Sequence, residues 1–187
     1  ICQRTIPKGL VKKVPMMMSS LATSPFEFVY VDLIGEIHPA SARGHRYILT
    51  MIDGATRYPC AAPLKHITTQ AVADALTRFW SSTGFPKCVT SDNGSQFVSD
   101  LMSEILRTLS IKHVRSSPYH AQSNGLCENF NKSLKHMLVK LCHEQPKNWD
   151  TYIDACLFAY RETPHASTGF SPFELTHGRT VCGPMSI

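Results

Sequence analysis

Long apolar runs are missing from this sequence. None approaches the ~20 consecutive apolar residues that a membrane-crossing helix needs. Paired cysteines are missing as well. The seven cysteines are an odd number and none stands in a CxxC spacing, so neither a disulfide framework nor a complete zinc site is indicated. Cys60, Cys88, Cys142 and Cys156 fall in apolar surroundings and read as small core residues, which fits a reducing, intracellular compartment. The sequence starts without an initiator Met or a signal-peptide pattern, and so reads as a cut from a longer chain. No internal repeat is visible.

What is present suits one medium domain. A chain of 187 residues can bury roughly 70% of its unfolded surface without staples. The net charge of +5 is unevenly placed. Ile1 to Lys13 carries four basic residues and no acids, and Arg107 to Lys147 carries seven against two, while the remainder holds eight against twelve. Clustering of this kind suits a polyanionic partner better than the modest total does. A solvated face explains the same charges without a partner.

Residues 1–24 lack a sustained period and read as a linker, with the folded domain over 25–187. FEFVYVDL, YILTMID and RYPCAAPL are apolar, β-rich runs, the second and third separated by Asp53-Gly54 turn chemistry. Together they predict a three-strand antiparallel meander whose first strand lies centrally. A helix capped by Thr68 or Thr69 follows, ended by Gly84 and Pro86. Then come a strand over 87–91, a helix over 97–109, a strand over 111–115 and a polar loop over 116–125. A long helix over about 126–143 carries the stripe Cys127, Phe130, Leu134, Met137 and Leu141. Pro146 ends it, Asn148 caps another helix, and Ser171–Glu174 spells a capping box. The order β-β-β-α-β-α-β-α-α implies an α/β fold with a mixed sheet flanked by helices.

Three carboxylates stand out. Asp32 interrupts an otherwise apolar strand, where a buried acid without a partner is costly. Asp92 closes a short strand just before Asn93-Gly94, at the carboxyl end where α/β sheets bind ligands. Glu128, 128 − 92 = 36 positions on, opens the long helix. Should they converge, three close anions call for a cation. An all-oxygen set suits Mg²⁺ or Mn²⁺ rather than Zn²⁺, and two such ions about 3.5–4 Å apart would serve phosphoryl transfer. Taken one at a time, each acid is equally well a cap or a surface charge. At about 100° per residue, Glu128, Lys132 and Lys135 lie within roughly 60° of one another, opposite the apolar stripe. That face is a track for a phosphate backbone, or an ordinary exposed face with Glu–Lys pairing.

SDNGSQF (91–97), SPYHAQSNGLCENFNKSLK (117–135), AYRETPHASTGFSPFELTHGR (159–179) and GHRYILTMIDGATRYP (44–59) together resemble the integrase catalytic core of long-terminal-repeat retroelements, especially the gypsy-type class. The likeness covers about residues 20–185. It implies a ribonuclease-H-like fold with a five-stranded sheet, the meander plus two parallel strands. It implies a catalytic and metal-binding triad at Asp32, Asp92 and Glu128, using two Mg²⁺ or Mn²⁺ ions. It implies trimming of element DNA ends, then attack of the freed 3′ hydroxyl on target DNA in the nucleus, by a homo-oligomer that holds both DNA ends. Tyr119 and Gln122 match loop positions that touch DNA, and Lys132 and Lys135 match positions that hold terminal phosphates. Cys2 looks like the last ligand of a preceding zinc-binding module whose other ligands are missing here. Ala121, Glu36 and Cys127 depart from the usual Pro, Pro and aliphatic residue. A catalytically idle, host-retained DNA-binding or interaction module of the same fold is the alternative. A ribonuclease H is disfavoured, because the 118–125 loop and the YRETPH…SPFEL tail match integrases.

Overall fold

The computed structural model describes residues 24–115 and 125–183. The linker expected over 1–24 lies outside them except for Ser24, and so do Cys2, Tyr119, Ala121 and Gln122.

Five strands form one sheet: β1 (Phe28–Ile34), β2 (Tyr47–Asp53), β3 (Pro59–Leu64), β4 (Cys88–Ser91) and β5 (Lys112–Arg115), in the order β3-β2-β1-β4-β5. The antiparallel pairs are β1–β2 and β2–β3, and the parallel ones are β1–β4 and β4–β5. The meander, the two parallel strands and the central place of β1 are as expected. Alternation along β1 and β2 divides two cores. Val29, Val31, Leu49 and Met51 face the cluster containing Val72, Leu76, Trp80 and Met102. Ile34, Ile48 and Ile52 face Phe130, Leu134, Trp149 and Ile153. Each large apolar side chain so buried contributes about 1.5–3 kcal/mol.

Helices cover both faces. On one side lie α1 (Thr69–Thr83), α2 (Ser95–Val98) and α3 (Asp100–Thr108). The other side carries α4 (Gly125–Leu141), a 3-10 turn (Pro146–Thr151) and α5 (Ile153–Glu162), with α6 (Pro172–His177) against α5. Thr68 is the residue that caps α1, by accepting from Ala71 N, and Gly84 closes that helix at φ 92. Ser171 and Glu174 form the expected capping box. No described helix is long and apolar enough to cross a membrane.

Three expectations need correction. The helix over 97–109 is two helices, because the Ser99 hydroxyl turns back to accept from Met102 N and restarts the chain. Asn148 does not cap α5; it sits inside the 3-10 turn that Pro146 opens. In α4 the buried positions are Cys127, Phe130, Asn131, Leu134 and Leu138, while Leu141 is exposed. Leu141 is the last residue of α4, and Leu138 and Cys142 on either side of it fill the core in its place. Cys60, Cys88, Cys142 and Cys156 are buried as expected, and Cys127 joins them.

The sheet edges differ. β3 carries Pro59 and Pro63, which have no N–H to offer, and the Arg161 guanidinium caps the Pro59 carbonyl with bonds of 3.2 and 2.8 Å. β5 is four residues long, with Lys112 and Arg115 exposed.

Candidate active site

Asp32 stands opposite Thr50 in the β1–β2 ladder. Alternation points it to the same side as Tyr30 and Ile34, toward α4. Its Oδ1 accepts from Leu33 N at 2.9 Å and its Oδ2 from Asn131 Nδ2 at 2.8 Å. The Thr50 hydroxyl donates to the Asp32 carbonyl at 3.1 Å. Burial holds the Asp32 carboxyl above its ordinary range, and the charges of Asp92 and Glu128 push it further the same way. The Leu33 and Asn131 donors oppose that shift without cancelling it.

Asp92 follows β4, which pairs in parallel with β1 through Val29↔Val89 and Tyr30↔Thr90. Carrying that register two residues further sets Asp92 level with Asp32 on the neighbouring strand, where chains run about 4.8 Å apart. Asp92 Oδ1 accepts from Gly94 N at 3.0 Å. A Cβ on Gly94 would meet Gln96 Nε2 at 2.2 Å and Asp92 Oδ1 at 3.0 Å, so a side chain there would displace the end of Gln96 and crowd the Asp92 carboxylate. The buried Ser91 hydroxyl donates to the Asp92 carbonyl at 2.9 Å, so its oxygen is left to accept from His113 Nε2 at 2.8 Å. Burial, aided by Arg115, lowers the His113 pKa and favours the neutral ring in this bond.

Glu128 is exposed in the first turn of α4. That turn is fixed to the sheet by Cys127 beside it. The Cys127 thiol lies 3.5 Å from Thr50 Oγ1 and 3.8 Å from the Tyr30 carbonyl. Burial pushes its pKa far up, so the group stays a neutral thiol. Lys132 and Lys135 are exposed, on the helical face that Glu128 shares. The structure therefore brings the three predicted carboxylates into electrostatic contact across β1, β4 and α4. Among the described residues, no group of three His, Cys, Asp or Glu side chains is placed to hold a metal ion. Carboxylate oxygens are the donor type that Mg²⁺ and Mn²⁺ take.

Sequence reasoning missed Asn131. Its place three residues after Glu128, on an adjoining helical face, was the available signal. Its Oδ1 is buried without a hydrogen-bond partner. A second polar cluster, Ser41, His45 and Asp150, contains nucleophile-like residue types but is wired as a brace. Asp150 Oδ2 accepts from Ser41 at 3.1 Å and contacts His45 Nδ1 at 2.7 Å, and Ser41 is buried. It ties the β1–β2 connection to the 3-10 turn.

Residues 22–121 match the family model described as the integrase core domain. The chain is 30% identical over 178 residues to the Pro-Pol polyprotein of feline foamy virus, covering 95% of this chain and 15% of that protein. It is 28% identical over 181 residues to gypsy retrotransposon integrase-like protein 1 of Rattus norvegicus, covering 97% of this chain and 34% of that one. The first three curated relatives are far longer, and the chain spans 13% to 15% of their length. Among solved structures, the trimeric form of the HTLV-2 integrase catalytic core domain in complex with magnesium aligns with TM-score 0.68 and 20% identity. That match covers 83% of this chain and 99% of the other. A simian T-cell lymphotropic virus intasome in complex with PP2A regulatory subunit B56 gamma aligns with TM-score 0.72 and 20% identity, over 85% and 57%.

Proposed function

The chain belongs to the integrase core domain family, and from that premise we propose that it is the strand-transferring core of a retroelement integrase, with Asp32, Asp92 and Glu128 as its catalytic carboxylates. What supports this reading is the β1–β4 register that sets Asp92 level with Asp32, with the charges of Asp92 and Glu128 both acting on the Asp32 carboxyl. Three anions drawn from three separate elements are costly to the fold and useful to a cation.

In this reading the three side chains would hold Mg²⁺ or Mn²⁺, an ion class in keeping with the magnesium complex of the HTLV-2 core, and two such ions would suit phosphoryl transfer. Bound divalent ions would supply Lewis-acid activation of an attacking oxygen and charge stabilisation for the leaving one. The chain's own part is positioning. Asn131 and Leu33 N fix the two oxygens of Asp32, Gly94 N orients Asp92, and Cys127 seats the turn that presents Glu128. Lys132 and Lys135 extend the Glu128 face as contacts for the terminal phosphates, and Tyr119 and Gln122, outside the described residues, are further DNA contacts in this reading.

Two exchanges at phosphorus follow. Water first cleaves a phosphodiester near the element end and frees a 3′ hydroxyl. That hydroxyl then attacks a target phosphodiester, so one P–O bond forms as another breaks and no external energy is spent. Chromosomal DNA in the nucleus is the target, and copies of the chain assemble because two ends are joined together.

The test is joining of labelled DNA ends in Mn²⁺ by the parent and by Asp92→Asn. The variant should fold and lose joining. Equal joining by both would remove Asp92 from the chemistry, and a parent inactive within its full-length protein would favour the idle, DNA-binding reading.

A further inference from the structure

A groove of about 530 Å³ opens between the β1–β2 connection and the β3–α1 connection, lined by Glu36, Arg46, Tyr47, Lys65, His66 and Thr68 among others. It lies at the sheet end that carries the carboxylates. β1 and β4 run the same way and end there, β2 starts there at Tyr47, and β3 ends there at Leu64. Glu36 is four residues from Asp32, no more than about 14 Å of chain. Tyr47 ties the groove wall to β1, its ring lying where a Cβ on Gly35 would meet Cδ1 at 2.2 Å.

The lining has the character of an anion cradle. Lys65 and His66 are exposed, and neither appears in an ion pair among the described residues. Thr68 caps α1, so the positive end of a fifteen-residue helix, with no acid in its first turn, faces the same space. Arg46 is the third cation, but it is committed to Glu36 at 2.5 Å, with His38 on the other carboxylate oxygen at 4.0 Å. Among the described residues, Glu36 is the one acid in the groove lining. It brings a negative charge to a wall that otherwise attracts phosphate.

We infer that this groove holds the phosphodiester backbone of DNA at the sheet end that carries the catalytic carboxylates, through Lys65, His66 and Arg46, and that Glu36 competes with phosphate for Arg46. The inference rests on the proposed function and adds a second track to the α4 face. Arg46 is a two-state contact: paired internally without DNA, and available to a phosphate once Glu36 is displaced. Bidentate geometry suits guanidinium for either partner.

Binding is measured in chelator by fluorescence anisotropy across a salt series. One probe is a duplex ending in a recessed 3′ hydroxyl; the other is a ligated dumbbell duplex with no ends. Arg46→Ala and Lys65→Ala should each weaken binding and reduce the slope of log K against log salt by about 0.9. Glu36→Gln should tighten binding and steepen the slope by up to about one contact. Arg78→Ala, ten residues along α1 and so about 15 Å from the groove, should match the parent. Losses confined to the dumbbell would assign the groove to target DNA, and losses confined to the recessed probe to the element end; losses on both would assign it to backbone of either source. Unchanged slopes on both probes for the Arg46→Ala/Lys65→Ala double variant, with the parent binding normally, would overturn the groove and leave the carboxylate site standing. A parent with no salt-dependent binding would overturn both. All three side chains are exposed, and matching thermal unfolding midpoints would exclude misfolding as the cause.

Discussion

The side-chain amide of Asn131 donates to Oδ2 of Asp32 at 2.8 Å, joining residues 99 positions apart. Within a single turn, α4 thus presents one carboxylate of its own, Glu128, and grips another on the central strand. The grip leaves Asn131 Oδ1 buried and unpaired, a deficit that marks the amide as placed for its donor.

Asn131→Ala should therefore hurt the site more than the fold. The lost bond to a charged acceptor is worth about 1.5–3 kcal/mol, partly offset by removing the unpaired oxygen, for a net loss of ~1 kcal/mol. Mn²⁺ affinity, read by calorimetric titration, should fall about 10–100-fold, as for other partners that orient metal ligands. Unaltered affinity would reduce Asn131 to a packing residue.

The crowding of like charge has a pH signature. The Asp32 carboxyl is raised above its ordinary value of 3.8, first by burial and then by Asp92 and Glu128. From that value upward, until Asp32 itself ionises, Asp32 holds more of its proton in the folded chain than in the unfolded one. The contribution of Asp32 to ion-free stability therefore falls as pH rises through that window. Asp92→Asn removes one raising charge, so its decline should be shallower. At pH 7 without divalent ions the variant should be more stable than the parent by on the order of 0.5 kcal/mol, after allowance for solvent screening. Chemical unfolding at several pH values checks both, and a steeper decline in the variant would contradict the coupling.

Asp53 is a buried acid with a purely structural assignment. Its Oδ1 accepts from Phe26 N at 2.9 Å, and its Oδ2 accepts from Thr56 N at 2.8 Å and Thr56 Oγ1 at 2.7 Å. Phe26 is held at φ 59, left-handed backbone that a non-glycine residue adopts only when fixed from outside. Asp53→Ala strands three donors and should cost about 3 kcal/mol or more. The urea midpoint should drop with the m-value unchanged. A shift below ~1 kcal/mol would show that water replaces the carboxylate.

Much of this was written locally in the sequence. Apolar β-rich runs and Asp53-Gly54 define the meander, and an acid inside FEFVYVDL announces Asp32. The spelling SPFE yields the cap at Ser171 because each partner lies within four residues. What stayed hidden depends on partners distant in sequence. Whether Ser99 continues a helix or restarts one turns on competition between its hydroxyl and the backbone. Asn131 reads as a surface amide until β1 is laid against α4. Asp92 comes level with Asp32 only through the β1–β4 register, which pattern alone does not specify. The groove was equally hidden, since its two walls lie some twenty to thirty residues apart.

The contrast between the two flanking strands bears on how copies can meet. Prolines and a guanidinium blunt one flank, while brevity and positive charge blunt the other. Strand-by-strand accretion, the usual route from a β-rich core to fibres, is thus discouraged at both margins. The assembly proposed for this chain would then use helical surfaces, where association can stop at a finite number.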